Sequence, residues 1–300
     1  MKNIIKPCEF DYNTNIRFIE ELIKEYPFLS AEIIGRSSLG RGIFALEIGN
    51  RKNSVVYAGG FHGCEWLTSE VLMLFVENIC RAIKHRTLLC GVDIRRALTQ
   101  LGITVVPCVN PDGVEIALKG FESAGNMKSY LGKLGEWDYH KWKANAMGVD
   151  INHNFSAGWD ILHQMEKEEG ITGPSSKQYG GEYAESEPET KTLTRLCRLR
   201  KFRQCMALHS QGKEIYWQYG ESTPKQSSMM AKILADSSGY ALSEPEGLAS
   251  YGGFKDWFID EFHAPGFTFE IGKGENPLPR SELYDIYGKI EEALTLFALM

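Results

Sequence analysis

SVVYAGGFHGCEWLTSEVLMLFVENICRAIK, residues 54–84, decides how this chain is read. Its first seven residues are an apolar run closing on two glycines, which predicts a buried β-strand. From about Trp66 to Lys84 the apolar residues Leu67, Val71, Leu72, Leu74, Phe75 and Ile79 recur at helical spacing, so a long helix follows. His62 and Glu65 fall in the connection between the two. A separation of three across such a loop lets both side chains turn toward one ion, whereas a pair inside a helix would need i and i+4. Taken alone, the pair reads more readily as a hydrogen-bonded loop histidine and a first-turn carboxylate favoured by the helix dipole. The rest of the chain changes that balance.

Upstream, a helix is predicted from about Asn15 to Tyr26, followed by the short strands AEIIG and IFALEIG around a turn at residues 37–42. Downstream, ITVVPCV reads as a strand running into the turn signal Asn110-Pro111-Asp112-Gly113. Residues 118–181 are irregular and rich in Gly, Lys, Trp and Tyr, which predicts a cleft-shaping segment. SEPETKTLTRLCRLRKF opens with a Ser/Glu capping pattern and reads as a helix. The strand QCMALHS follows, then a hairpin-like KEIYWQYG, a helix near Lys225 to Ser238, a short helix FKDWFIDEF, the strand GFTFEIG and a closing helix from Arg280 to Leu299. The expected fold is a single α/β domain over residues 1–300, with a mixed, mostly parallel sheet between helices. His62, His209 and Glu270 then sit at or just past the carboxyl ends of strands, where open α/β sheets build their sites.

Two imidazoles and one carboxylate, His62, His209 and Glu65, make the His₂Glu set of a catalytic zinc site that leaves one position to water. One Zn²⁺ per chain and hydrolytic chemistry are therefore expected. In GFTFEIG, period two places Phe267, Phe269 and Ile271 on one face and Glu270 beside Thr268 on the other. A carboxylate there is costly unless it faces water, a partner or a metal-activated water, whose proton it would accept as a general base. An ordinary edge-strand glutamate is the plainer alternative. Asp150, in GVDINHNF, suits the free ring N–H of a liganding histidine, or a turn. Asn152 and Asn154, with His153 between them, could offer amide donors to a substrate carboxylate, although local turn bonding explains either asparagine more cheaply.

Composition narrows the class. With 300 residues, 43% of them hydrophobic, the chain can bury a full core. A net charge of −6 offers no general basic surface to a phosphate backbone, so no nucleic-acid partner is expected. No stretch approaches the apolar length of a membrane span, and the first residues lack a signal-peptide run, so a cytoplasmic protein is expected. Seven cysteines without a CxxC pair fit reduced core thiols.

GFHGCEW, NPDG, GVDINHNF, LHSQG, SYGGFKDW and FTFEIGKGENPLP, with an early SxxGR turn, occur in the order and rough spacing of the carboxypeptidase A-like zinc metallopeptidases. The resemblance runs from about Tyr26 to Pro279. Within that family LHSQG followed by EIYW, SEPET after a Gly-rich loop, and GKGENPLP look most like the bacterial γ-D-glutamyl-diaminopimelate peptidases. The resemblance implies zinc on His62, Glu65 and His209, Asp150 orienting His62, and Glu270 as base. It also implies a peptide substrate, most specifically a cell-wall muropeptide.

Departures from the family pattern matter equally. His153 replaces the arginine that clamps a terminal carboxylate, and an imidazole does not reproduce a bidentate guanidinium. Cys64 stands where an arginine is usual, costing a subsite contact. The carbonyl-polarising arginine is matched in WKANAMGVD by Lys143 or, less readily, Asn145. Leu248 occupies the region of the family's mobile tyrosine; Tyr251, directly before Gly252-Gly253, could reach the cleft instead, or equally pack or face solvent. Two rivals stay open on sequence: a general metallocarboxypeptidase or deglutamylase, and a peptide-binding module without chemistry.

Overall fold

The computed structural model describes residues 3–134 and 138–300. Eight strands form one sheet: β1 (Ser30–Arg36), β2 (Gly42–Gly49), β3 (Ser54–Ala58), β4 (Gly102–Val106), β5 (Cys205–His209), β6 (Glu214–Tyr216), β7 (Ala241–Leu242) and β8 (Gly266–Glu270). Their spatial order is β1-β2-β4-β3-β5-β8-β6-β7. The central four, β4-β3-β5-β8, are parallel, and antiparallel pairings join β1, β2 and β6 to that block. The sheet is thus mixed, with its parallel part in the middle, as the sequence leads one to expect.

Alternation along β3 shows why the sheet needs helices on both sides. Val55 and Tyr57 join a core with the helices Tyr12–Glu25, Leu67–His85, Ser227–Ser238 and Leu283–Leu299. Val56 and Ala58 point the other way, toward Leu193, Leu196, Phe254 and Phe258 of the helices Pro188–Arg200 and Phe254–Phe262. Strands buried on both faces read as continuous apolar runs, and this explains SVVYA. Tyr57 is wholly buried, and its hydroxyl donates to the Leu294 carbonyl at 2.6 Å, so the core keeps its polar tip satisfied. No helix among the described residues is long and apolar enough to cross a membrane.

Several local readings are corrected. The first helix begins at Tyr12 rather than Asn15, because Asp11 caps it by accepting the Thr14 N–H at 2.7 Å. Asn110-Pro111-Asp112-Gly113 is a helix start, not a turn: Asn110 accepts the Gly113 N–H at 2.8 Å and Pro111 occupies the first helical turn. The Ser186/Glu189 capping box does not form. Glu189 turns instead to the Ser38 N–H at 2.8 Å, fastening the Pro188–Arg200 helix to the turn before β2. KEIYWQYG contributes β6, which pairs with β8 and β7 rather than closing a hairpin. Among its described residues the irregular segment includes the helix Trp159–Glu168 and a single helical turn at Lys128–Leu131.

Candidate functional site

His62 follows β3, and residues 63–65 form a single 3₁₀ turn before the Leu67–His85 helix. The Gly63 and Cys64 N–H groups donate to the carbonyls of Lys143 at 3.2 Å and Trp142 at 2.8 Å. A β-carbon on Gly63 would stand 2.2 Å from the Gly113 carbonyl oxygen, so glycine alone permits this approach. His209 ends β5 and faces Glu270, the last residue of the parallel neighbour β8, in register. Strand ends separated by more than two hundred residues of chain thereby meet over one cavity of about 520 Å³, lined among others by His62, Glu65, Lys143, Asp150, Asn152, His153, His209 and Glu270.

At its centre His62 Nδ1 lies 2.8 Å from Glu65 Oε1, and His209 Nδ1 lies 3.1 Å from Glu65 Oε2 and 3.3 Å from His62 Nδ1. His62 Nε2 is 3.0 Å from Asp150 Oδ1. A proton on Nε2 donated to Asp150 leaves Nδ1 of a neutral ring as a lone pair, the tautomer a metal requires. Three electron-rich atoms crowded together repel unless a proton or cation lies between them. Tetrahedral ligands about 2.0–2.1 Å from a shared zinc ion stand about 3.4 Å apart, close to the spacing here. The donor set therefore fits a divalent cation of the zinc type. Phe61 stacks on His209 with ring centroids 4.9 Å apart, and the Ser210 N–H donates to Glu65 Oε2 at 3.1 Å.

Electrostatics follow from burial and close pairing. Burial opposes the His62 imidazolium, but Glu65 and Asp150 outweigh it and hold its pKa at about 9 in the metal-free protein. Burial alone would raise the Asp150 carboxyl, yet His62 beside it brings it far below the usual carboxylate range. Glu270 is pushed up to about 8, by burial first and the charge of Glu65 second. The Glu65 charge holds the Lys143 ammonium well above the ordinary lysine range, with Nζ 3.3 Å from Oε1.

Lys143, not Asn145, is the residue at the cavity. Asn145 is buried and consumed, donating to Glu187 Oε2 at 2.7 Å and accepting the Met147 and Val149 N–H groups. Asn152 Oδ1 accepts the Phe254 N–H at 3.1 Å, which leaves its Nδ2 for a ligand. His153 Nδ1 donates to the Gln178 carbonyl at 3.0 Å, so Nε2 is the nitrogen left for the cavity. Burial opposes its charged form, but Asp150 and then Glu166 raise its pKa.

Tyr251 is not at the cavity. Its ring packs against Gly158 and lines a neighbouring hollow with Tyr219, while the Gly247–Ser250 turn presents Leu248 and Ala249 to the site. The reason is backbone pinning: the Gly252 N–H donates to the Ala157 carbonyl at 2.7 Å and the Phe155 N–H to the Gly252 carbonyl at 3.0 Å. Cys64 is core, packed in a cluster with Ile116 and Trp142, its thiol pushed up to about 12 by burial and then by Glu65. Such a thiol is inert rather than redox-responsive. Sequence reading missed Ser210, Gln178 and Glu166. Gln178 donates its N–H to Asp150 Oδ2 at 2.9 Å from a left-handed backbone that no local signal announces.

The sequence matches the zinc carboxypeptidase family over residues 16–290. Gamma-D-glutamyl-L-diamino acid endopeptidase 1 of Lysinibacillus sphaericus is 36% identical over 294 residues, covering 96% of this chain and 71% of that protein. In fold, the structure is similar to bovine thrombin-activatable fibrinolysis inhibitor, with a TM-score of 0.75, 22% identity and coverage of 96% and 95% of the two chains. Murein-tripeptide amidase from Escherichia coli O157 superposes with a TM-score of 0.55 at 22% identity, covering 90% and 92%. The chain belongs to the zinc carboxypeptidase family and is a zinc metallopeptidase acting on peptides.

Proposed function

We propose that this enzyme hydrolyses the amide between the γ-carboxyl of D-glutamate and a diamino acid in peptidoglycan stem peptides. His62, His209 and the Glu65 carboxylate would hold zinc, with Asp150 orienting His62. The observation that carries the reading is the convergence of those three ligand atoms within 4.8 Å of one another beside Glu270. When bound, the zinc ion supplies Lewis acidity that polarises an amide carbonyl and acidifies water. Glu270 accepts the proton from the attacking water and returns it to the leaving amine nitrogen as the C–N bond breaks. Lys143 places a cation beside the charge that develops on the carbonyl oxygen. Asn152 Nδ2 and His153 Nε2 hold a carboxylate of the leaving amino acid.

Substrate choice is supported by the 36% identical endopeptidase. Muropeptide fragments in the cytoplasm are the proposed setting, supported by seven cysteines that form no disulfide. Incubating zinc-loaded enzyme with L-Ala-γ-D-Glu-meso-diaminopimelate should release free diaminopimelate, identified by mass spectrometry. If that peptide stays intact while ordinary free-acid peptides lose C-terminal residues and their amides do not, the enzyme is a general carboxypeptidase.

Asp150→Asn is expected to weaken zinc about 10- to 100-fold in chelator competition, because the oriented N–H···O⁻ contact to His62 is lost. Unaltered affinity would show that Asp150 serves only the turn.

A further inference from the structure

We infer that Lys177, with Glu169 and Glu246, forms a second recognition point that reads the free amino acid centre at the far end of the leaving residue's side chain. The inference builds on the proposed stem-peptide substrate and goes on to choose between diaminopimelate and lysine. All three residues are exposed on the wall of the cavity that holds His62 and Glu270, and none makes an ion pair among the described residues. Every other charged side chain lining that cavity is either partnered or placed at the reacting centre.

Lys177 is not on a free loop. Before it, the Ser176 carbonyl accepts the N–H groups of Lys143 and Ala144, both at 2.9 Å. After it, Gln178 is bonded through its N–H to Asp150 and through its carbonyl to His153. Further on, Gly180 donates its N–H to the buried Glu166 at 2.8 Å. The backbone of Lys177 is therefore fixed to three residues of the proposed site, while its ammonium makes no ion pair among the described residues. A fixed backbone sets the point from which the Lys177 side chain reaches into the cavity.

His153 supplies the independent pointer to a ligand. It is only 8% exposed, and Nε2 has no partner among the described residues and faces the cavity. That nitrogen and Asn152 Nδ2 take the carboxylate next to the scissile bond, so the cationic Lys177 remains for a second carboxylate. Glu169 and Glu246 remain for an ammonium. A ligand carrying both groups at one end is an α-amino acid centre. Diaminopimelate ends in such a centre, whereas lysine ends in an ammonium alone and would leave Lys177 unpaired. Selectivity for diaminopimelate follows from the missing partner, since a charge desolvated without its counterpart penalises the wrong substrate.

Zinc-loaded enzyme is assayed on L-Ala-γ-D-Glu-X, with X as meso-diaminopimelate, diaminopimelate amidated at its distal carboxyl, or L-lysine. The diaminopimelate peptide should exceed the other two in kcat/KM by about tenfold, the scale of one partly desolvated charge pair. Lys177→Met should bring the ratio of diaminopimelate to lysine peptide near one, and Lys177→Glu should favour the lysine peptide. Both substitutions lie on the surface, so correct folding is checked by unchanged zinc content. Cleavage of all three peptides with the same ratio in wild type and both variants overturns the inference and leaves the stem-peptide reading standing. Cleavage of none of them, with ordinary C-terminal peptides still hydrolysed, overturns both.

Discussion

Glu270→Gln is expected to lower kcat by about 10³-fold while the protein keeps one zinc ion per chain. Glutamine has the same shape, and the backbone of this position carries its own bonds: the Lys213 N–H donates to the Glu270 carbonyl at 2.7 Å and the Ile271 N–H to the His209 carbonyl at 2.8 Å. The strand end is thus retained. What disappears is a carboxylate that accepts no hydrogen bond from any described residue and lines the cavity beside Glu65 and Lys143. An acceptor left uncommitted next to two charges is a structural cost, which the proposed role of taking a proton would explain. Zinc content by atomic absorption and single-turnover rates on the same sample separate the two effects. Undiminished turnover in the variant would remove Glu270 from the reaction.

His209→Ala is expected to abolish both stoichiometric zinc and turnover, the rate falling to that of chelator-treated wild type. His62 and Glu65 share one short loop, and His209 is the residue that joins β5 to them. Without it, two ligands three residues apart must hold the ion alone. The decisive readout is thermal. Zinc at about 1,000 times its Kd should stabilise the wild-type fold by about 4 kcal/mol, seen as a rise in Tm. The variant should show no zinc-dependent rise, whatever its own Tm becomes after losing the stack on Phe61. A full zinc-dependent shift in His209→Ala would mean that the ion sits elsewhere.

Much of the site is legible in the sequence because its chemistry lies at element ends that composition marks clearly. The apolar run before His62, the alternation around Glu270 and the strand ending in His209 each announce a β-strand, and in parallel β3, β5 and β8 those ends share one edge. Asp150 is legible as a partner for a histidine, and His62 is the ring it meets. Capping is harder to read. Asn110-Pro111-Asp112-Gly113 suits a turn and a helix start equally, since the same side-chain acceptor serves both, and the residues after Gly113 decide between them. Glu189 has the spacing of a local cap, yet a distant N–H at Ser38 takes its carboxylate.

By itself the sequence determined the kinds of group available: two imidazoles, an acid pair, a lysine in place of an arginine, and strands and helices whose periodicities set the layers. Those are properties of residue type and short spacing, which survive without neighbours. Only tertiary structure decided that Nδ1 of each histidine faces the Glu65 carboxylate, that Lys143 rather than Asn145 reaches the cavity, that Tyr251 is turned away, and that Lys177 stands on an anchored backbone. Each of those outcomes depends on hydrogen bonds between segments far apart in the chain. Such bonds arise where the packed layers bring backbone donors and acceptors together, which no local pattern encodes.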